Sequence, residues 1–512
     1  MARRAVIGLD IGTGSTKAVL TDAGGEILTT AVRHHAMSMP HPAWAEMDAE
    51  RDWWGDAVAC LRELATAGAD LDCTIEAVCV SGLGPAVVAE SATGHVRGPA
   101  ILYGVDTRTG EQIEQLNRGL GPARILERGG TALSSQAAGA KLLWLAQHGA
   151  LEPGDRFFSS HTFVTWRLTG AYYLDHQTAS QFDPFYDMRT GAWADDWAGR
   201  FLPGCELPQL RWPGEIVGEI SAASAASTGL VAGTPVLAGT IDAWAEAYSV
   251  GTTSPGDAML MYGSTVLAIS SLAGFRSHPG LWATTGITPG SHTLAAGMST
   301  SGSLMSWIRD LCSGQSYEDL IEQARAVPPG SDGLLMLPYF AGERAPVSDP
   351  KARGVIAGLT LGHGPGHLFR AGYESIAFGV RQILNLLGEA GAAPTRIVAV
   401  GGGTQGGLGP QIVSDVCGVE QHVPRTVIGA SYGDALLAAQ AVGLAGADEN
   451  WCSLDRIIAP DPGHRADYDE LYANYSRLYA ATRPIVHDLA DFAAARESSA
   501  ETRPPSARPP SE

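Results

Sequence analysis

Gly8-Leu-Asp-Ile-Gly-Thr-Gly-Ser-Thr-Lys17 is the stretch on which the reading of this chain turns. Ala5-Val-Ile-Gly-Leu-Asp-Ile is an apolar run of strand length, and Thr16-Lys-Ala-Val-Leu is another. Gly12-Thr-Gly-Ser between them is therefore the turn of a hairpin. The Gly-x-x-x-x-Gly-Lys-[Ser/Thr] spacing of a P-loop is absent. A strand rather than a helix follows the glycines, which excludes a dinucleotide fingerprint. What remains is a turn whose backbone N–H groups around Gly12 and Gly14, with the hydroxyls of Thr13, Ser15 and Thr16, can cradle a terminal phosphate. Lys17 adds a charge if it points inward. Asp10, just before the turn, is placed to hold Mg²⁺ directly or through water, because hard cations prefer oxygen ligands. On its own, the stretch equally describes an ordinary Gly-rich hairpin with a solvent-facing aspartate.

Working outward, Glu26-Ile-Leu-Thr-Thr-Ala-Val completes a three-stranded antiparallel meander. Asp48 caps a helix with Trp53, Trp54, Val58 and Leu61 on its apolar side, and Ala77-Val-Cys-Val-Ser is a short buried strand. Meander, helix and strand make an α/β start of mixed character. A related rhythm returns halfway along: strand Ala258-Met-Leu-Met-Tyr, turn Gly263-Ser264-Thr265, and return strand Val266-Leu-Ala-Ile-Ser. Arg396-Ile-Val-Ala-Val then runs into Gly401-Gly402-Gly403, where missing side chains would let a flat purine approach the backbone. The chain reads as two α/β halves, 1–250 and 251–446, with a ligand expected in the cleft between them. A helical segment, 447–496, should pack its tyrosine stripe on the body and break or kink at Pro484. Residues 497–512, rich in Ser, Pro and Glu, should form a disordered tail.

Two further carboxylates stand out. Asp242 follows the apolar strand Val236-Leu-Ala-Gly-Thr and opens a helix, where it can accept the proton of an attacking hydroxyl or simply cap the helix. Ile101-Leu-Tyr-Gly-Val-Asp106-Thr-Arg108 ends a strand with a charge pair, suited to polyol hydroxyls or to a structural ion pair. Across the 512 residues, 34 Lys and Arg against 54 Asp and Glu give a net charge of −20, and Lys17, Lys141 and Lys351 are the only lysines. That charge argues against a nucleic-acid partner, so an anionic ligand must be held by local devices. The seven cysteines are scattered with no C-x-x-C pair, as expected of reduced thiols in a cytoplasmic protein. The apolar start stops at Asp10, too early for a secretory signal. The uncharged stretches 220–241 and 277–308 read as buried strands and turns rather than membrane spans. His34, His35 and His41 lack a metalloprotease spacing, and no Gly-x-Ser-x-Gly elbow occurs.

With these residues assembled, the chain resembles the FGGY carbohydrate kinases, most closely their xylulokinase-like branch. The landmarks span roughly residues 5–485: Gly8 to Lys17, His41-Pro-Ala-Trp-Ala-Glu-Met-Asp, Lys141-Leu-Leu-Trp-Leu, Ala238-Gly-Thr-Ile-Asp242, Gly342-Glu-Arg-Ala-Pro346, Gly354-Val-Ile-Ala-Gly358 and Gly401-Gly-Gly403. The resemblance implies two ribonuclease-H-like domains of the actin/hexokinase superfamily flanking a cleft, and ATP-dependent phosphorylation of a sugar or polyol hydroxyl. It casts Asp242 as the base, Asp10 as the magnesium-associated carboxylate and the two hairpins as phosphate loops. Gly401, Gly402, Gly403 and Gln405 fall on the adenosine side, and Gly84, Pro85 and Asp106 in sugar-contact segments. Where xylulokinases carry Gln-Met-His-Gly, this chain has Leu83-Gly84-Pro85-Ala86, which removes a ring donor. D-xylulose is the leading expected acceptor. Ribulose, a hexulose or a tetritol are the alternatives, followed by a catalytically weak binding regulator on the same fold. Either a monomer or a homodimer is compatible with the sequence.

Overall fold

Strand alternation settles which way the opening stretch faces. A computed structural model of the protein describes residues 2–425 and 428–501. In the strand Arg3–Ile11, Ala5, Ile7, Leu9 and Ile11 point to one side and join Ala18, Leu20, Trp53, Leu61 and Leu64 in the core of the first half. Val6, Gly8 and Asp10 take the other side, with Val6 packed among residues of both halves. Asp48 caps the next helical segment, its Oδ1 accepting the N–H groups of Glu50 and Arg51 at 3.0 Å each. That segment begins with a π-helical stretch, Ala49–Gly55, and continues as the helix Asp56–Asp70.

The first half is built on a six-stranded sheet in the order Ile216–Glu219, Pro235–Leu237, Cys73–Gly82, Arg3–Ile11, Ser15–Asp22, Ile27–His34. The last three strands are the antiparallel meander, and Cys73–Gly82 runs parallel to Arg3–Ile11. The second half repeats the plan in a seven-stranded sheet. There Asp257–Tyr262 pairs antiparallel with Val266–Leu272 and parallel with Arg396–Val400. The far edge of that sheet is the strand Leu454–Ile458, so the segment expected to be helical from 447 begins as a strand. Two uncharged stretches expected to hold only strands and turns also contain the helices Ala222–Thr228 and Gly302–Leu311.

Between the sheets lie two helices. Ala430–Ala441, from the second half, covers the inner face of the first sheet so closely that a Cβ on Gly8 would sit 1.8 Å from Ser431 O. Asp242–Ser249 leans on the second sheet, where Trp244 Nε1 donates to Thr293 Oγ1 at 2.9 Å. The helices cross at Gly433, whose Cβ would meet Ala245 O at 2.1 Å. The shared core, with Val6, Val19 and Leu237 from one sheet and Met259, Ile269 and Val400 from the other, is sandwiched around them.

The C-terminal helix Arg465–Glu501 buries Tyr468 and Tyr475 in the second-half core. Tyr479 and His487 reach Asp349 Oδ2 at 2.8 and 2.6 Å. The helix continues through Pro484 and its backbone runs to Glu501, past the expected start of the tail. Residues 502–512, the rest of that expected tail, lie outside the described residues. All seven cysteines are free thiols. Among the described residues no helix is long and apolar enough to cross a membrane.

Candidate active site

The first hairpin closes with Gly12 N–H donating to Ser15 O at 3.0 Å, and Asp10 pairs directly across it with Lys17. Because Val6, Gly8 and Asp10 share one face, Asp10 emerges where the covering helix ends, at the mouth between the halves. Lys17 lies on the same face as its partner and stays exposed. Thr13 and Ser15 are half-buried at the turn. Thr16 is different. It shares the side of Ala18 and Leu20 and is fully buried, so its hydroxyl belongs to the core rather than to a phosphate cradle.

Asp242 stands at the first position of its helix, not at the cap. Its Oδ1 accepts only the adjacent Ala243 N–H, at 2.7 Å, so the capping role is unfilled. The residues before it are fixed from below. Gly239 lets the chain cross Val80, whose O would lie 1.8 Å from a Cβ there, and Thr240 O accepts Gly82 N–H at 3.1 Å. Thr240 Oγ1 lies 3.0 Å from both Asp175 Oδ1 and Gln177 Oε1, and Asp175 Oδ2 lies 2.8 Å from His161 Nε2. This buried network carries no sequence signature, since its members come from three separate segments.

Asp10, Asp242, Glu246 and Asp434 form one electrostatic neighbourhood. Desolvation, then the charges of Asp242 and Asp434, push the Asp10 carboxyl well up, while Lys17 opposes. Desolvation pushes Asp242 up to about 6, partly offset by the Ala243 N–H and by His161. Desolvation and the Asp242 charge push Glu246 up to about 7. Asp434, on the helix from the second half, is pushed up to about 8 by burial although Ser81 N–H and O–H both donate to it, at 3.1 and 2.5 Å. Raised acids gathered in a cleft are the arrangement expected of general acid–base chemistry. Among the described residues no three His, Cys, Asp or Glu side chains are spaced to hold a metal. Asp10 Oδ1 is nonetheless buried without a hydrogen-bond partner. One unsatisfied carboxylate oxygen fits Mg²⁺, which usually takes one or two carboxylates plus phosphates and waters.

The second hairpin repeats the first, with Gly263 N–H donating to Thr265 O at 2.9 Å and with Gly263, Ser264 and Thr265 exposed. It docks on the start of the helix Gly302–Leu311 through Ser301 N–H to Ser264 O at 2.9 Å and Gly302 N–H to Gly263 O at 3.0 Å. Beside it opens a cavity of about 960 Å³ lined by Gly263, Ser264, Ser301, Trp307, Tyr373, Gly402, Gly403 and Gln405 among others. Gly401 does not line it. A Cβ there would strike Tyr262 O at 2.5 Å, and one on Gly403 would strike Tyr262 Cβ at 2.7 Å. These two glycines are required by Tyr262, and only Gly402 faces open space.

The sugar-side expectations divide. Asp106 is fully buried: Oδ2 accepts Ala45 N–H at 2.8 Å and Arg108 Nη2 at 2.6 Å, while Arg108 also reaches Glu46 at 2.9 Å and lies 3.9 Å from the Trp44 ring. It is the structural ion pair rather than an open hydroxyl acceptor. From the same segment Tyr103 reaches the cleft instead, 3.1 Å from Thr13 Oγ1. Gly84 is half-exposed and passes against Ile241, and Pro85 is buried beside it. Lys141, in the signature helix, is buried, donates to Ser135 O, and is held down to about 7 by desolvation.

Two family models match in succession: the N-terminal domain of the FGGY family of carbohydrate kinases over residues 5–248, and its C-terminal domain over residues 258–442. The chain belongs to the FGGY family of carbohydrate kinases. A glycerol kinase from Nocardia farcinica is 33% identical over 479 residues, 88% of this chain and 93% of that one. A xylulose kinase from Escherichia coli is 27% identical over 503 residues, 94% and 99%. The crystal structure of a xylulose kinase from Rhodospirillum rubrum superimposes with a TM-score of 0.86 at 34% identity, covering 94% of this chain and all of that one. The two-domain actin/hexokinase-like fold of this family is therefore present, and the protein is a carbohydrate kinase, a family in which ATP binding is inherent. Relatives bearing two different substrate names match it, so the family leaves the acceptor open.

Proposed function

We propose that this carbohydrate kinase transfers the γ-phosphoryl group of ATP to a hydroxyl of a ketopentose such as D-xylulose. The observation that carries the reading is the meeting of Asp10, Lys17, Asp242 and Glu246 at the mouth between the halves, beside the first hairpin. Asp242 accepts the acceptor's hydroxyl proton as that oxygen bonds to the γ-phosphorus. The bond from phosphorus to the β-phosphate bridging oxygen breaks, and ADP departs. Little covalent work is asked of the protein, since phosphoryl transfer depends on positioning and charge neutralisation. The two hairpins offer N–H groups to the phosphates, with Thr13, Ser15, Ser264 and Thr265 adding hydroxyls. Gly402, Gly403 and Gln405 border the nucleoside cavity. Mg²⁺, when bound, would neutralise phosphate charge, with Asp10 holding it directly or through water.

Near-complete coverage by xylulose kinases supports the ketopentose. A short polyol is the second reading, favoured by Gly84-Pro85, which brings no side-chain donor to the acceptor, and by the 33% identity to a glycerol kinase. An ADP-release screen with Mg²⁺ over pentuloses, hexuloses and polyols separates them. Asp242→Asn is expected to fold and bind ADP while losing about 10²–10⁴-fold in kcat, the usual contribution of a general base. Full activity in that variant would refute its assignment.

A further inference from the structure

Arg344, in the Gly342-Glu-Arg-Ala-Pro346 stretch, is a cation from the second half. Its loop is fixed by Ala345 N–H to Gly297 O at 3.2 Å, and its Nη2 donates to Met298 O at 2.9 Å. Gly297 makes room for it, since a Cβ there would stand 3.2 Å from Nη2. Its guanidinium lies 5.6 Å from the Trp282 ring centroid. Among the described residues no carboxylate comes within ion-pair distance of it, whereas the buried Arg108 and Arg370 are both paired. Burial lowers its pKa from the usual guanidinium value, with only the Glu343 and Tyr103 charges opposing.

Strand pairing places this cation: Met298, whose O accepts its Nη2, sits opposite Val266, the residue that follows the second hairpin turn. The Tyr103 phenol belongs to the first half, touches Thr13 of the first hairpin, and responds to the charges of both Asp242 and Arg344. Tyr103 thus stands at the first phosphate turn and the Arg344 guanidinium beside the second. An unpaired, half-desolvated cation is costly unless its counter-charge arrives with the ligand. Met298 O occupies one of its five donors. We propose that Arg344 is a catalytic residue that neutralises the charge developing on the transferring phosphoryl group. This rests on the kinase reading above, and it adds a donor from the second half to the Asp242 side of the reaction.

The test uses the full chain with Mg-ADP, titrated calorimetrically with and without aluminium fluoride, a mimic of the phosphoryl group in transfer. Wild type should bind ADP more tightly when fluoroaluminate is present. Arg344→Gln should keep its ADP affinity and lose that tightening, with kcat down about 10²–10³-fold, the usual cost of deleting one oxyanion donor. Arg344→Lys, which restores charge but not the planar fork, should recover part of both. Unchanged tightening in Arg344→Gln overturns the proposal, as does wild type showing none. An intact kcat with a raised KM for the acceptor alone overturns it in favour of an acceptor contact. Wild type that binds no ADP would instead sink the kinase reading itself. If Arg344→Gln unfolds, Arg344→Lys carries the same comparison.

Discussion

Gly8→Ala isolates the contact on which the whole site depends. An added Cβ would lie 1.8 Å from Ser431 O and 2.5 Å from Ala435 N, both backbone atoms of the helix Ala430–Ala441. Ordinary van der Waals separation exceeds 3.4 Å, so strand and helix must part by more than an ångström. Overpacking typically costs about 1–3 kcal/mol, and two rigid obstacles put this case near ~3 kcal/mol. With an unfolding entropy of about 2.1 cal/mol/K per residue, a half of roughly 250 residues should melt about 6 °C lower. Asp10 is two residues along the same strand and moves with it. A misplacement near 1 Å can cost about 10²-fold in rate. Differential scanning fluorimetry and ADP release measure both. A variant with unchanged Tm and kcat would show that the helix yields freely and that this packing does not set the position of Asp10.

Other perturbations test separate contacts. Gly402→Ala, with nothing within 4 Å of the new Cβ, should keep its Tm, whereas Gly403→Ala must displace Tyr262 and should lower it. Fluorimetry on the pair decides. Arg108→Ala leaves the Asp106 carboxylate buried and uncompensated and should cost about 3–5 kcal/mol in denaturant unfolding. The acid limb of kcat should fall as pH drops through about 6, because Asp242 must be ionised to accept a proton. A profile flat across that range would contradict its role. Asp434, held up to about 8, favours the folded state most when protonated. Its contribution is complete below the ordinary carboxylate range and is lost as pH rises towards 8. The Tm of Asp434→Asn relative to wild type should therefore climb between pH 5 and 8, and parallel curves would contradict this.

What could be read from the chain was local. The hairpin at Gly12–Ser15, its echo at Gly263–Thr265 and the placement of Asp242 after an apolar strand follow from turn chemistry and short-range pattern. A hydroxyl near a turn says nothing about strand parity, which here sends Thr16 to the core side beside Ala18. Gly401 reads as room for a ligand, but the neighbour needing that room is Tyr262, more than a hundred residues earlier, which also presses on Gly403 behind the cavity wall. Asp106 had two readings, and only the Ala45 N–H, supplied by a distant loop, decided between them. Arg344, Tyr103 and Asp434 acquire their surroundings where the halves meet, so no local spacing announces them.

The exchange of helices between halves also sets a timetable for synthesis. The inner face of the first sheet, with Val6 and Val19, waits for Ala430–Ala441 to be made. At about 5–20 residues per second, the roughly 190 residues from the end of the first half to that helix take some 10–40 s. Throughout that interval the ribosome holds a finished sheet with one greasy side bare. Severed at the junction, fragment 1–250 should be prone to aggregate when made alone and should be rescued by its complement in the same cell.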